Sequence, residues 1–560
     1  MTAKPASSPF HLDAQAMRWV ETTRDAMSVN DQIAQLFVFG SESERDEDVD
    51  AITRLKPGGI HRFPNAPLPD VWRATRRMLE SAEVPLILSG DIEGGAVSYP
   101  FATAVPNQLG IAACDDLSLS ERLARLIAQE SRALGYDWSF TPVVDVNTEF
   151  RSAIVGTRSY GSDPNTVLAQ ARTYVRTLQA QGIAACAKHW PGDGLDQRDQ
   201  HLLTSVNPLA MDEWREVFGR IYRTLIEDGV MTIMSAHIAL PAYVRERDPG
   251  AGREAFAPAS VSRLLNKDLL RDELGFDGLI VSDATGMGGL TSWMDREAAV
   301  PAVIENGCDV FLFSRNPERD MALMLAGLRS GRLSEQRLHE AVTRMLSFKA
   351  ALGLHRRSID DRLPPLPVIE GQLRTDTHRA TGREALGRGI TLVKDTQDLL
   401  PLDPVRHRRV VVVMEEGWSF FTGALPRSFE PFLAAMRAKG FDVRLYDRTI
   451  HPTREDTDLV LYLVGQEATP AAGYIYLDLS KLHGGHRRGM TQYWRELPTA
   501  LISFGQPYYL FDAPACRTMV NAYSALEDSQ IEVVERLLGA VPFTGVSPVD
   551  PFCGQEQLRW

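Results

Sequence analysis

Short, continuous apolar runs recur along the chain at residues 36–40, 59–63, 85–89, 138–144, 183–187, 231–236, 279–282 and 310–313. Runs without polar alternation belong to strands covered on both faces, the environment of a parallel sheet. Between them lie helix-period segments such as 117–134 and 211–228, with Asp, Ser or Asn near their starts as candidate N-caps. Eight strand–helix units in succession predict an α/β fold whose first domain, residues 1–355, is a (β/α)8 barrel of the TIM type.

The pattern breaks at Arg356-Arg357 and Leu363-Pro364-Pro365-Leu366-Pro367, so residues 356–385 read as a linker. A second strand and helix series follows at 390–393, 410–414, 443–446, 459–464, 500–503 and 519–521, with a closing helix at 530–538. Lacking a count that would close it, this series predicts an open doubly wound α/β sandwich over residues 386–560. The tail, 543–560, reads as loop packed on its surface.

With 44% hydrophobic and 24% charged residues, the composition is that of an ordinary globular protein. Its net charge of -13 argues against nucleic acid as a partner and leaves no broad basic face for a membrane. No apolar run nears the ~20 residues that span a bilayer, and no charged-then-apolar leader opens the chain, so a cytoplasmic location is expected. The five cysteines are odd in number, widely spaced and without a C-x-x-C pair, which predicts reduced structural thiols rather than disulfides or a zinc site.

Barrel enzymes work at the carboxyl ends of their strands, and polar residues gather there: Asp91, Asp145 and Asn147, Lys188 and His189, His237, and Asp283. In Asp199-Gln200-His201 the spacing lets a carboxylate hold an imidazole nitrogen and fix its tautomer for acid/base work. On an exposed loop the same tripeptide would be solvated and idle.

Lys188-His189-Trp190-Pro191-Gly192, Asp199-x-His201 and the strand-terminal Ser282-Asp283 with Met287 four residues on occur in one order along the chain. Together they resemble glycoside hydrolase family 3, and within it the β-N-acetylglucosaminidase branch, some of whose relatives are phosphorylases. The likeness covers nearly the whole chain and includes residues 389–394 and 399–402 at the start of the second domain. It implies a retaining, exo-acting enzyme that cleaves a terminal β-glucoside or β-N-acetylglucosaminide through a covalent glycosyl-aspartate, with no metal or other cofactor. Asp283 would be the nucleophile, and His201, oriented by Asp199, the acid/base. Asp91, Arg158, Lys188 and His189 would hold the sugar, Met287 would line the site and Glu93 would be structural.

Three positions depart from the branch: Ala96 and Asp193 stand where it has Arg and a second His, and Tyr99 lies near another usual Arg. Less positive charge around the site weakens strict N-acetylglucosamine specificity and opens it to glucose. A carboxylate base repels a phosphate dianion and an imidazole does not, so phosphate as well as water is an expected acceptor. The basic run from His483 to Arg488 would hold such an anion or be merely solvated. Alternatives are a strict β-N-acetylglucosaminidase and a β-glucosidase using Glu467 as its acid. A metal-dependent barrel hydrolase built on His189, His201, His237 and Asp283 lacks any His-x-His or His-Glu-x-x-His spacing. A non-catalytic sugar-binding protein would have no need of Asp283.

Overall fold

The computed structural model describes residues 9–63, 66–94, 101–417 and 428–560. Ala96 and Tyr99 lie outside those residues. Eight parallel strands follow one another around the first sheet: β1 (Phe37–Ser41), β2 (Gly59–Arg62), β3 (Ile87–Gly90), β4 (Trp138–Ser139), β5 (Ala184–Trp190), β6 (Thr232–Ser235), β7 (Leu279–Ser282) and β8 (Phe311–Leu312). Closure comes where Val281 bridges Val310, with the Asp309 N–H donating to Ile280 O at 2.7 Å and the Ser282 N–H to Val310 O at 3.0 Å. The barrel predicted from eight apolar runs is therefore present.

Continuous apolar runs suit this architecture because both faces of each strand are buried. Val38, Ile87, Cys186, Met234 and Leu279 fill the interior with Trp138 and Phe140. Their neighbours Phe37, Phe39, Leu88, Ala185, Ile233 and Ile280 face the outer helices. Those helices start as their caps require; Asp116 accepts the Ser118 and Leu119 N–H groups at 2.9 and 3.1 Å before Leu117–Ala133. Strand β4 is shorter than its apolar run because Pro142 has no N–H to offer the ladder. Gln108 substitutes there, its amide oxygen accepting the Val143 N–H at 3.1 Å and its nitrogen donating to Val143 O at 3.0 Å.

The second sheet holds β9 (Thr391–Asp395), β10 (Arg409–Glu415), β11 (Asp442–Leu445), β12 (Leu459–Val464), β13 (Thr499–Ser503) and β14 (Thr518–Asn521). Its order is β9-β14-β13-β12-β10-β11, with β9 antiparallel and the other pairs parallel. This is the expected open doubly wound sheet, with Glu430–Ala438 and Glu527–Leu537 covering one face. Residues 356–385 form Ile359–Arg362, Leu366–Gln372 and the start of Asp376–Arg388. The tail does more than cover surface: Val546 N–H donates to Ala113 O at 2.9 Å, and Pro548 O accepts the Ser162 N–H at 3.0 Å, tying it to the barrel. No helix among the described residues is long and apolar enough to cross a membrane, and the cysteines form no disulfide.

Asp309 secures the closing seam with its side chain as well. Fully buried, it accepts the Ile280 N–H at 2.9 Å and hydrogen bonds from Arg271 and Arg337 at 2.6 and 2.7 Å. Removing the carboxylate strands buried cations, a loss of about 3–5 kcal/mol. Denaturant unfolding of Asp309→Ala is expected to show it, and a loss below about 1 kcal/mol would mean that closure does not depend on this group.

Candidate active site

The carboxyl ends of the barrel strands surround a cavity of about 870 Å³. Its described lining comes wholly from the barrel and includes Asp91, Arg158, Lys188, His189, His201, Asp283 and Met287, seven of the eight residues singled out in the sequence. The eighth, Asp199, lies behind His201. On the cavity floor, Glu93 accepts two hydrogen bonds from Arg158, Nε to Oε2 at 2.7 Å and Nη2 to Oε1 at 2.8 Å. Lys188 Nζ sits 2.7 Å from the same Glu93 and donates to Asp91 Oδ1 at 2.8 Å. Burial would push the Glu93 carboxyl up, but the two cations outweigh it and hold the group down at about 2. Asp91, only partly buried, is likewise disfavoured as an anion by desolvation and nevertheless kept below the carboxylate range by Lys188 and His61.

His189 turns its Nδ1 to Asp145 Oδ2 at 2.6 Å, and its N–H donates to Oδ1 of the same carboxylate at 3.1 Å. Asp193 lies beside it. Burial, then the Asp145 charge, push its carboxyl well above the ordinary value, which favours the neutral acid. Asp283 follows β7, its N–H bonded to Ser235 O at 2.8 Å and its Oδ1 accepting the Ala284 N–H at 2.7 Å. His237 does not line the cavity. Its Nδ1 is 2.8 Å from Ser260 Oγ and its Nε2 3.0 Å from Ala284 O, so both ring nitrogens are engaged. Nor, among the described residues, do three His, Cys, Asp or Glu side chains converge on a point where a metal ion could sit.

The Asp-x-His pair has the geometry its spacing allows. Asp199 Oδ1 lies 2.7 Å from His201 Nδ1 and accepts the His201 N–H at 2.8 Å, leaving Nε2 for the cavity. The second oxygen, Oδ2, accepts the Ala471 N–H at 2.6 Å from the second domain. Burial raises the Asp199 carboxyl, yet the bonds from His201 and Ala471 leave it lowered overall. Neighbouring residues extend this contact: the Ala468 N–H donates to Thr157 Oγ1 and the Thr469 N–H to Ala153 O, both at 3.0 Å.

The Glycosyl hydrolase family 3 N terminal domain profile matches residues 28–348. The chain belongs to glycoside hydrolase family 3. This family 3 enzyme is 40% identical to the "Beta-N-acetylglucosaminidase/beta-glucosidase" of Cellulomonas fimi, over 98% of each chain. Among solved structures it matches "Beta-glucoside phosphorylase BglX bound to 2FGlc" with a TM-score of 0.92 at 33% identity, over 98% of this chain and 99% of that one. A β-N-acetylglucosaminidase from Paenibacillus sp. str. FPU-7 matches at TM-score 0.78 and 25% identity, over 94% and 99%.

Sequence reasoning passed over several lining residues of the family 3 enzyme. Phe63, Phe140 and Phe313 line the cavity at or near the ends of apolar runs, where each reads as ordinary core. Arg315, two residues after the eighth run, was within reach of the strand-end rule already applied to the other strands. The run from His483 to Arg488 is absent from the described lining. His483 is fully buried against Tyr462 Oη at 3.0 Å, and desolvation pushes its imidazole down to about 4.

Because the Glu93 carboxyl is held below the ordinary value of ~4.3, its contribution to stability is complete above that value and is lost as pH falls towards about 2. Glu93→Gln is expected to lower the unfolding temperature at neutral pH, to flatten that acid limb, and to raise KM for the glycoside about tenfold or more by loosening Arg158 and Lys188. An unchanged acid limb would detach the network from stability.

Proposed function

We propose that the chain is a retaining, exo-acting β-glycosidase that accepts terminal β-glucosides and β-N-acetylglucosaminides and transfers the sugar to phosphate in preference to water. One observation carries this reading: Asp283 and His201 line the same cavity, and His201 is oriented by Asp199. In the first half-reaction a carboxylate oxygen of Asp283 bonds to the anomeric carbon as the bond to the leaving oxygen breaks. His201, as imidazolium, gives that oxygen its proton. In the second half-reaction an acceptor oxygen attacks the anomeric carbon and Asp283 leaves as carboxylate, while the neutral imidazole takes the proton that the acceptor, water or hydrogen phosphate, gives up and is imidazolium again. Two inversions retain configuration, so a β-glycoside yields the β-1-phosphate.

Glu467, the acid of the alternative β-glucosidase mechanism, is buried and absent from the described cavity lining, which favours His201. The dual name of the Cellulomonas fimi relative supports accepting both sugars, and the phosphorylase neighbour supports phosphate. Electrostatics point the same way. Arg158 and Lys188 are neutralised by Glu93 and Asp91, whereas Arg315 forms no ion pair among the described residues. Its Nη2 bonds Gly286 O at 2.8 Å, leaving an exposed cation in the lining of the same cavity as His201.

A 2-deoxy-2-fluoro β-glucoside is expected to label one peptide, that containing Asp283, and Asp283→Ala to lower turnover by roughly a thousandfold or more. Label on any other peptide would remove Asp283 from its role. Millimolar phosphate is expected to accelerate turnover and yield β-sugar 1-phosphate, and Arg315→Gln to raise KM for phosphate about tenfold, or ~1.4 kcal/mol. A rate and product indifferent to phosphate would leave a hydrolase on the same residues.

A further inference from the structure

His237 is fully buried and absent from the described lining of the catalytic cavity, yet it touches both loops that carry the proposed reacting groups. It follows β6, and the end of that strand brackets the peptide of Asp283. Ser235 O accepts the Asp283 N–H at 2.8 Å, and His237 Nε2 lies 3.0 Å from Ala284 O. A carbonyl can only accept, so Nε2 carries the proton and donates it there; Nδ1, 2.8 Å from Ser260 Oγ, accepts a hydrogen bond from that hydroxyl. Burial pushes the imidazole below its ordinary value, outweighing the nearby Asp283 charge, so the ring keeps this neutral form at neutral pH. The Ala284 carbonyl also takes the Met287 N–H at 3.0 Å, which closes the turn after Asp283.

On its other side His237 meets the loop of His201. Its backbone N–H donates to Gln200 Oε1 at 3.0 Å, and Gln200, 1% exposed, is the middle residue of Asp199-Gln200-His201. The two loops also meet directly: the Gly288 N–H donates to His201 O at 2.8 Å and the Gly289 N–H to Gln200 O at 3.0 Å. Only glycine permits that approach, because a Cβ on Gly288 would fall 2.2 Å from Leu202 O, and one on Gly289 2.6 Å from both Gln200 O and the His237 Cβ. Double displacement requires the nucleophile and the acid at a set separation of about 5 Å, and a misplacement of about 1 Å costs on the order of a hundredfold. We infer that His237 is a positioning residue that sets the spacing of Asp283 and His201, fixing the first through the Ala284 carbonyl and the second through the Gln200 side chain. The inference rests on the roles proposed for those two residues.

The test compares kcat/KM of the full-length enzyme for methyl β-glucoside, whose leaving group needs a proton, and dinitrophenyl β-glucoside, whose leaving group does not. His237→Asn keeps an amide near Nδ1 for Ser260 but cannot reach Ala284, whereas His237→Gln places an amide N–H near the position of Nε2. His237→Asn is expected to lose about a hundredfold on the methyl glucoside and less than about fivefold on the dinitrophenyl glucoside, and His237→Gln to recover about tenfold of the larger loss. Gln200→Leu, which leaves the imidazole in place, is expected to show the same selective loss, and it decides alone should His237→Asn not fold. Equal losses on both glucosides, or none, would overturn the assignment, since a merely structural role lowers the amount of folded enzyme for both substrates alike. The roles beneath it fail on a different variant: an even loss in His201→Ala would remove His201 as the acid, and this assignment with it.

Discussion

A single buried carboxylate, Glu93, organises the catalytic end of the barrel. It lies on the loop after β3, holds Arg158 from the loop after β4 and Lys188 from β5, and thereby fixes three neighbouring segments to one point. Each cation alone would be prohibitively placed, since a charge removed from water is tolerated only when paired and hydrogen-bonded. Together with Asp91 they form a network of two positive and two negative groups in which each member justifies the burial of the next. This part of the cavity is consequently close to neutral, and its hydrogen-bonding groups are held in place by one another.

The Asp199 and His201 pair, proposed as the acid/base, rests on a different support. Asp199 has two oxygens, one given to His201 and the other to the Ala471 N–H of the second domain. The barrel alone leaves that second oxygen without this donor. The second domain therefore helps fix the ring orientation of the histidine that faces the cavity.

The proposed transfer to phosphate requires an acidic enzyme to confine its positive potential. Here the interior cations are matched one against another, while Arg315 remains exposed at the mouth without an ion pair among the described residues. The Asp145 and Asp193 pair contributes in the same sense: two carboxyls buried together favour sharing one negative charge, so the wall behind His189 carries less negative charge than its composition suggests.

Much of this was legible in the chain itself. Apolar runs of strand length, separated by helix-period segments, determined a barrel and an open sheet, because burial on both faces leaves its mark on every residue of a strand. Polar residues at the ends of those runs, with the Asp199-x-His201 spacing, likewise located five lining residues and the carboxylate behind them, while Arg158 and Met287 were reached only through the family resemblance. What only the tertiary structure decided are the meetings between distant segments: Glu93 beneath Arg158 and Lys188, Asp309 closing the barrel seam, and Ala471 reaching Asp199 across 272 residues of chain. It also decided against the basic run at His483, whose histidine turned inward to Tyr462. The reason is physical: periodicity records whether a residue is buried, but a backbone N–H carries no side-chain signature, and a charge finds its partner only when folding brings two remote loops to the same few ångströms.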